Sequence, residues 1–182
     1  NEDFNVLVIA TTQDVAKNLV SKVQLMNENL PSWLKTNITT NNKLSLKFAN
    51  GSEIKAISSS STGARSEALS LLIVDEAAFI RNIEDIWVAS QATLSTGGGA
   101  IVLSTPNGIG NWFHQTWVDA ESGVNGFETI RLKWDLHPER DQSWRDEQTR
   151  LLGERGAAQE CDCDFISSGH TVIDGLILQG YE

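Results

Sequence analysis

The stretch Leu71-Leu72-Ile73-Val74-Asp75-Glu76 decides how this chain folds, because a short apolar run leads directly into two carboxylates. Four consecutive apolar residues are typical of a strand that is buried on both faces of a parallel sheet. Two adjacent anions at the end of such a strand are costly to bury without a cation or hydrogen-bond partners. The stretch therefore indicates either a functional site or a solvated acidic turn. The apolar Ala77-Ala78-Phe79-Ile80 that follows favours the site.

Strands and helices alternate before this stretch. Residues 4–10 predict a buried strand, and Thr11-Thr12-Gln13-Asp14 predicts the start of a helix capped by a hydroxyl group. Asn50-Gly51 predicts a tight hairpin turn between two segments, 44–48 and 53–56, in which apolar and polar residues alternate. The first helix is expected to end at Pro31 and to bury one apolar stripe, formed by Val15, Leu19, Val23, Met26 and Leu30.

The alternation continues after the acidic pair. Helices are predicted from Asn82, over residues 112–120 and over residues 143–152, the last with a hydroxyl cap at Ser143. Further strands are predicted over residues 100–103 and 127–134. Short apolar strands that alternate with helices indicate an α/β fold with a mostly parallel central sheet flanked by helices. In such sheets, functional residues collect at the carboxyl ends of the strands.

Composition narrows the range of functions. The chain has 182 residues and a net charge of −10, which argues against a dedicated nucleic-acid-binding module but not against a motor that touches DNA through a few residues. It has no run of 18 or more apolar residues, so no membrane association is expected. Cys161 and Cys163 are interpreted as reduced thiols of a cytosolic protein.

The acidic pair is suited to nucleotide chemistry. A P-loop ATPase places an aspartate at this position to hold Mg²⁺ and a glutamate beside it to activate the attacking water, the roles we expect for Asp75 and Glu76. Ser104 and Thr105 end the next strand, and their hydroxyl groups can bind the γ-phosphate or the water. Ser104 to Gly108 also fits a plain strand-to-helix turn, and that reading is favoured when the motif is taken alone.

Two features leave the nucleotide hypothesis incomplete. Arg65 is the cation of a polar loop just before the acidic strand and could stabilise phosphoryl charge, although a solvated surface arginine is the simpler interpretation. The phosphate-binding pattern G-x-x-x-x-G-K-[ST] is absent from the sequence. Either the chain is not an ATPase, or the phosphate loop precedes residue 1.

Taken together, the motifs resemble the large terminase subunit of tailed double-stranded DNA bacteriophages, over nearly the whole chain from Val6 to Ile173. The order and spacing of the pieces carry the resemblance. These pieces are Ala10-Thr11-Thr12, Asn50-Gly51-Ser52, Gly63-Ala64-Arg65, residues 72–80, residues 103–108, Trp134, residues 137–141, Trp144, Gln159-Glu160, Phe165 and residues 168–173.

The resemblance implies a P-loop NTPase of the ASCE type that uses ATP and Mg²⁺. It implies that Asp75 is the Walker B aspartate, that Glu76 is the catalytic glutamate and that residues 103–105 form the coupling motif. It implies that Arg65 acts on a neighbouring subunit's ATP, although Ser66 stands where a glycine often follows that arginine. Residues 1–173 would be an ATPase domain without its Walker A strand and loop, and residues 174–182 would begin a linker or nuclease domain.

The resemblance also implies partners and a place of action. Expected partners are double-stranded DNA, the portal protein, the small terminase subunit and further copies in a homo-oligomeric ring, a pentamer, on the prohead in the host cytoplasm. Two other hypotheses stay open: another P-loop translocase or helicase, and a non-catalytic binding fragment. Ala78 stands where helicases of the Asp-Glu-x-His or Asp-Glu-x-Asp type carry His or Asp, which counts against the helicase.

Overall fold

A computed structural model describes residues 2–59, 68–94 and 97–169 of the chain, which divides into two compact units, Asn1–Leu103 and Ser104–Glu182. The first unit contains a six-stranded sheet in the order β2-β3-β4-β1-β5-β6. Three of the five strand pairings, β4 with β1, β1 with β5 and β5 with β6, are parallel, as predicted. No helix among the described residues is both long and apolar enough to cross a membrane.

The strand β1 (Asn5–Ala10) and the helix α1 (Gln13–Asn29) follow the prediction closely. Thr12 caps the helix, since its Oγ1 accepts a hydrogen bond of 3.3 Å from the backbone N–H of Val15. The expected apolar stripe is at most half-buried: Val15, Leu19 and Val23 pack against the core cluster, whose residues from α1 are Ala16 and Val20. Met26 and Leu30 are 66% and 36% exposed, because the last turns of α1 lie outside the core cluster.

The strands β2, β3 and β4 pair antiparallel, and β2 is one edge strand of the sheet. The predicted hairpin is confirmed: β3 (Ser45–Phe48) pairs with β4 (Glu53–Ser58), and Gly51 adopts a φ of 82° in the turn. The strand β2 (Ile38–Asn42) was not predicted, because its sequence Ile-Thr-Thr-Asn-Asn is almost entirely polar. It pairs antiparallel with β3 and contains a register shift between Ile38 and Thr40.

The core of the first unit lies between α1 and one face of the sheet. It is formed by Val8, Ala10, Ala16, Val20, Leu46 and Ala56, all of which are at most 4% exposed. The acidic strand β5 (Leu71–Val74) lies between β1 and β6 (Gly99–Val102). A 3-10 turn over Ala77–Phe79 and the helix α2 (Ile83–Leu94) follow β5. These elements confirm the strand and helix predictions around the acidic pair.

The second unit is helical where the structure describes it. Its helices are α3 (Trp112–Glu121), α4 (Gln142–Glu160) and α5 (Phe165–Ser168), with a 3-10 turn over Trp134–Leu136. The rings of Phe113, Trp117 and Phe165 pack with centroids 5.9–6.4 Å apart. Both cysteines are free thiols, as expected, and burial raises the pKa of each.

Two predictions in this unit are wrong. Residues 127–134 do not form a paired strand within the described parts of the chain, and Ile130 and Leu132 are 75% and 72% exposed. Sequence alternation can favour an extended backbone, but a strand also needs a neighbour to pair with. The helix α4 begins one residue early and is capped by Asp141, not Ser143, since Asp141 Oδ1 accepts the N–H of Trp144 at 2.8 Å.

The helix α4 is interrupted at Gly153, whose φ of 74° and ψ of 166° are not helical. Arg145 before the break and Asp162 after the helix form two hydrogen bonds of 2.8 and 2.5 Å. Seventeen residues of straight helix would separate them by roughly 25 Å. The chain must therefore turn back on itself at Gly153, a conformation that glycine reaches without a steric penalty.

Candidate active site at the end of the acidic strand

The carboxyl ends of β4, β1 and β5 lie side by side in the first unit, because these neighbouring strands are parallel. The ladder extends one residue past each of β4 and β5: the N–H of Ser59 donates to the carbonyl of Ala10 at 2.9 Å, and that of Asp75 donates to Ile9 at 2.8 Å. The carboxyl ends of these strands therefore bring together Thr11, Ser59 and the acidic pair. This is the position at which ligands bind in open α/β sheets.

The acidic pair forms a bulge against Leu103. The N–H of Leu103 donates to the carbonyl of Val74 at 3.0 Å, and its carbonyl accepts the N–H of Ala77 at 3.1 Å. In a regular parallel ladder, that carbonyl would accept from the residue two positions after Val74, which is Glu76. One extra residue is therefore accommodated directly after β5, as in a β-bulge, and such bulges re-aim side chains beside active sites.

Glu76 has left-handed backbone angles, with φ 54° and ψ 44°. A residue with a Cβ adopts this conformation at a cost of about 1–3 kcal/mol, which the surrounding structure must offset. Here the bulge holds it in place, because Val74 and Ala77 on either side are both hydrogen-bonded to Leu103. The backbone thus fixes where the Glu76 side chain leaves the strand. Strain of this kind clusters at functional sites.

The start of the segment that carries Arg65 is anchored at the same strand ends. Ser59 donates from Oγ to the carbonyl of Thr11 at 3.3 Å, and its own carbonyl accepts the side-chain amide of Asn82 at 3.2 Å. Asn82 immediately precedes α2 and accepts the N–H of Ile86 at its carbonyl. Arg65 itself lies outside the described residues, so its expected role stays a prediction.

Ser104 and Thr105 belong to the second unit, and both are half-buried. The turn after them is held by two side chains. Asn111 donates from Nδ2 to the carbonyls of Asn107 and Gly108 at 2.9 and 3.2 Å, and Ser168 accepts the N–H of Gly108 at 3.0 Å. Gly108 has a φ of 74°, and a Cβ there would lie 2.8 Å from Gly169 Cα. Glycine is therefore required at position 108 by the geometry of this turn.

The acidic pair offers carboxylate oxygens of the kind that Mg²⁺ takes as ligands. Within the described residues, no three His, Cys, Asp or Glu side chains gather into a group that could hold a metal ion. Magnesium in nucleotide sites is typically held by one or two carboxylates together with substrate phosphates and water. One aspartate at a strand end, with a glutamate beside it, matches that requirement.

Comparison with known proteins identifies the family. A sequence profile of the N-terminal part of terminase large subunits, T4-like virus type, matches residues 1–179. The chain belongs to the large terminase subunit family. The large terminase subunit of Thermus virus P23-45 is 33% identical over 138 residues, which cover 65% of this terminase chain and 28% of that protein. The chain thus spans little more than a quarter of this curated relative.

Solved structures agree on the fold of this terminase chain. The large terminase ATPase domain of Thermus phage P74-26 superposes with a TM-score of 0.68 at 25% identity, covering 91% of this chain and 78% of that one. The large terminase of a thermophilic bacteriophage, solved with ADP, has a TM-score of 0.71 at 12% identity and covers 91% and 41%. The expected α/β fold of the P-loop type, with a mostly parallel central sheet, is confirmed.

Several residues that shape the site escaped sequence reasoning. Ser59 was not singled out, and Asn82 was predicted only as the start of a helix, because the hydrogen bonds that give them their place at the site join residues far apart in the sequence. Leu103 acts through its backbone alone, so its side chain gives no signal. Asn111 could have been found, since an Asn before an apolar helical pattern is a recognised capping signal. Its Oδ1 accepts the N–H of His114 at 3.0 Å.

Proposed function

We propose that this chain is part of the ATPase motor of a terminase large subunit, which hydrolyses ATP to move double-stranded viral DNA into a prohead. The observation that carries the proposal is Glu76 in a left-handed bulge directly after Asp75, at the carboxyl end of an inner parallel strand. The hydrogen bonds of Leu103 on either side of the acidic pair fix its backbone at this end of the sheet. A general base needs such a fixed position, because it must lie within hydrogen-bonding reach of its water.

Each residue of the pair has its own role in this proposal. Asp75 binds Mg²⁺, directly or through water, and Glu76 accepts the proton of the attacking water. Mg²⁺ supplies charge neutralisation on the triphosphate oxygens when it is bound with ATP. The backbone of Asp75 is fixed by its hydrogen bond to Ile9, so its carboxylate leaves the strand from a rigid base. Glu76 gains from the same rigidity, because a general base must lie within hydrogen-bonding reach of its water.

Three further residues complete the chemistry. Ser104 and Thr105 bind the γ-phosphate or the attacking water and report hydrolysis to the helices that follow. The fixed turn at Asn107 and Gly108 supports this, because a sensor needs a rigid connection to what it moves. Arg65, from a neighbouring subunit, stabilises charge on the transferring phosphoryl group.

The remaining parts of the enzyme lie outside these 182 residues. The phosphate-binding strand and loop precede Asn1, and residues 174–182, outside the described part of the chain, lead into a nuclease domain. The open side of β6 suits the missing strand. Its residue Ile101 and the adjoining Leu103 are 50% and 43% exposed, and within the described residues β6 pairs with β5 alone.

The same proposal names the partners. The complete protein acts as a homo-oligomeric ring, a pentamer, on the prohead. It binds the portal protein and the small terminase subunit in the host cytoplasm during virion assembly. This chain alone, without the phosphate loop, hydrolyses no ATP.

A packaging assay with the complete protein tests the function. Purified proheads, double-stranded DNA and ATP are combined with wild-type protein, with Glu76→Gln and with Glu84→Gln as the control. Glu84 is an exposed acid in the first turn of α2. Wild type and the control should protect DNA from nuclease digestion in an ATP-dependent manner, and Glu76→Gln should protect none. Equal protection by all three proteins would overturn the proposed function.

A further inference from the structure

The antiparallel edge of the sheet differs in charge from the rest of the chain. Residues 29–52 contain Lys35, Lys43 and Lys47 but no Asp or Glu, in a protein whose net charge is −10. They include both strands of the β2–β3 hairpin and the turn between them. A positive segment within a strongly acidic protein is an electrostatic feature with consequences for binding.

Lys47 lies on the face of the sheet opposite α1. Leu46, Ile54 and Ala56 pack with α1, so their strand neighbours Lys47 and Lys55 point to the opposite face. Lys47 is 54% exposed and lies 3.2 Å from Glu53, the one acid beside it on β4. Lys43, in the exposed turn between β2 and β3, adds a further positive charge.

The other exposed side chains of the hairpin are also of the kind that binds phosphate. Thr40 and Asn41 of β2 are exposed, and neither carries charge. Lysine, threonine and asparagine are common donors to phosphate oxygens in DNA complexes, and such contacts carry no sequence information. A two-stranded ribbon is narrow enough to enter the major groove.

We infer that the β2–β3 hairpin, residues 38–48, binds the phosphate backbone of double-stranded DNA, with Lys43 and Lys47 as its main cationic contacts. The inference rests on the proposed function and deepens it, because it assigns a surface of this chain to the moving DNA. The contact is non-specific, as it must be in a motor that moves DNA of any sequence. Glu53 weakens the contact by pairing with Lys47.

A different explanation for the same lysines is that they protect the edge of the sheet. Lysines and a bulge on an edge strand prevent edge-to-edge association with other sheets. β2 is an edge strand with a register shift at Ile38 and Thr40. If protection of the edge were the only role, replacing the lysines would promote aggregation and leave DNA binding unchanged.

The test compares two double variants of the complete protein. Lys43→Gln with Lys47→Gln removes the hairpin charges, and Lys17→Gln with Lys22→Gln removes two lysines from α1 as a matched control. DNA affinity is measured by fluorescence anisotropy between about 50 and 200 mM salt, together with basal ATP hydrolysis. Each phosphate contact contributes a slope of about 0.9 in log affinity against log salt. The magnitude of that slope should fall by about 2 in the hairpin variant and stay unchanged in the control. Both variants should keep basal ATP hydrolysis.

A third variant should change DNA affinity in the opposite direction. Glu53→Gln removes the acid that pairs with Lys47 and should tighten DNA binding at low salt. Equal slopes in the two double variants, with or without aggregation, would overturn the inferred DNA surface. If the wild-type protein still hydrolyses ATP in that case, the proposed function stands. Hydrolysis absent from the wild-type protein, with the hairpin slope as expected, instead overturns the proposed function and leaves the DNA surface intact.

Discussion

The backbone N–H of Ala77 donates a hydrogen bond of 3.1 Å to the carbonyl of Leu103, across the end of the acidic strand. Because Leu103 also donates to Val74 at 3.0 Å, Asp75 and Glu76 occupy a place in the ladder that one residue would normally fill. The extra residue is accommodated by the left-handed backbone of Glu76. The position of the general base proposed here is therefore set by the backbone of the neighbouring strand.

Replacing Glu76 by glycine should stabilise the bulge while destroying activity. Glycine adopts left-handed angles without a Cβ penalty, whereas Glu76→Gln keeps that penalty. We expect Glu76→Gly to slow hydrogen exchange of the β5 and β6 amides in the complete protein by roughly fivefold, corresponding to about 1 kcal/mol. Glu76→Gln should exchange like wild type. Exchange that is no slower in the glycine variant would contradict the strain assigned to Glu76.

Asp75→Asn should weaken nucleotide binding only when magnesium is present. The substitution removes one negative charge that holds the metal ion but leaves the shape of the side chain almost unchanged. Isothermal titration of the complete protein with a non-hydrolysable ATP analogue measures this, with and without EDTA. We expect a loss of about tenfold or more in Mg²⁺ and equal affinities in EDTA. A loss of the same size in both conditions would point to misfolding.

Arg65→Ala should bind ATP normally but lose the hydrolysis that depends on ring assembly. An arginine supplied by a neighbouring subunit is worth about 10³–10⁵ in rate, and a solvated surface arginine is worth nothing. The measurement is ATP turnover of the complete protein on proheads with DNA. Unchanged turnover would show that Arg65 has no catalytic role and is a solvated surface residue.

Mixing experiments separate action between subunits from action within one subunit. In rings assembled from Arg65→Ala and Glu76→Gln proteins, some interfaces pair an intact Arg65 with an intact Glu76 of the next subunit. Partial recovery of turnover at intermediate mixing ratios is therefore expected. An arginine that serves its own subunit would give no recovery at any ratio.

The Arg145–Asp162 pair should make the second unit sensitive to acid. The hydrogen bonds from Arg145 hold the pKa of Asp162 below its ordinary value of 3.8, against the effect of burial. Because the folded-state pKa is the lower one, the stabilisation is fully present above pH 3.8 and is lost as the pH falls through the folded value. Asp162→Asn should lower stability by roughly 1–3 kcal/mol near pH 7, since hydrogen bonds to charged groups are worth about that much.

Thermal unfolding between pH 7 and pH 3, followed by near-ultraviolet circular dichroism, measures this difference. The midpoints of wild type and Asp162→Asn should converge below pH 3.8. The control Glu139→Gln, at an exposed position, should stay close to wild type throughout. A difference for Asp162→Asn that is constant down to pH 3 would contradict the assigned cause of the shift.

Local patterns predicted most of the first unit. The strands around Val8, Ile73 and Ile101 were found because consecutive apolar residues are sufficient for a buried parallel strand. The cap at Thr12 and the turn at Gly51 were found because each depends on residues at most three positions away. The acidic pair was recognised for the same reason: its chemistry and its strand are contiguous in sequence.

What the sequence did not reveal depends on distant partners. The strand β2 exists because β3 offers hydrogen bonds to a polar segment, whereas residues 127–134 form no strand within the described part of the chain although their alternation favours one. The left-handed backbone of Glu76 results from the pairing of Leu103 with both Val74 and Ala77, which no local pattern encodes. The helix predicted over residues 143–152 ends directly before the break at Gly153, but the helical segment after the break and the return of Asp162 to Arg145 were not predicted.

The role of Glu76 as general base is tested most directly by single-turnover ATP hydrolysis in the complete protein. Glu76→Gln keeps the size and hydrogen-bonding capacity of the side chain but cannot accept a proton at neutral pH. The account predicts that this variant binds ATP with wild-type affinity and hydrolyses it slower by about 10²–10⁴ or more. Hydrolysis at the wild-type rate by Glu76→Gln, with ATP bound, would contradict it.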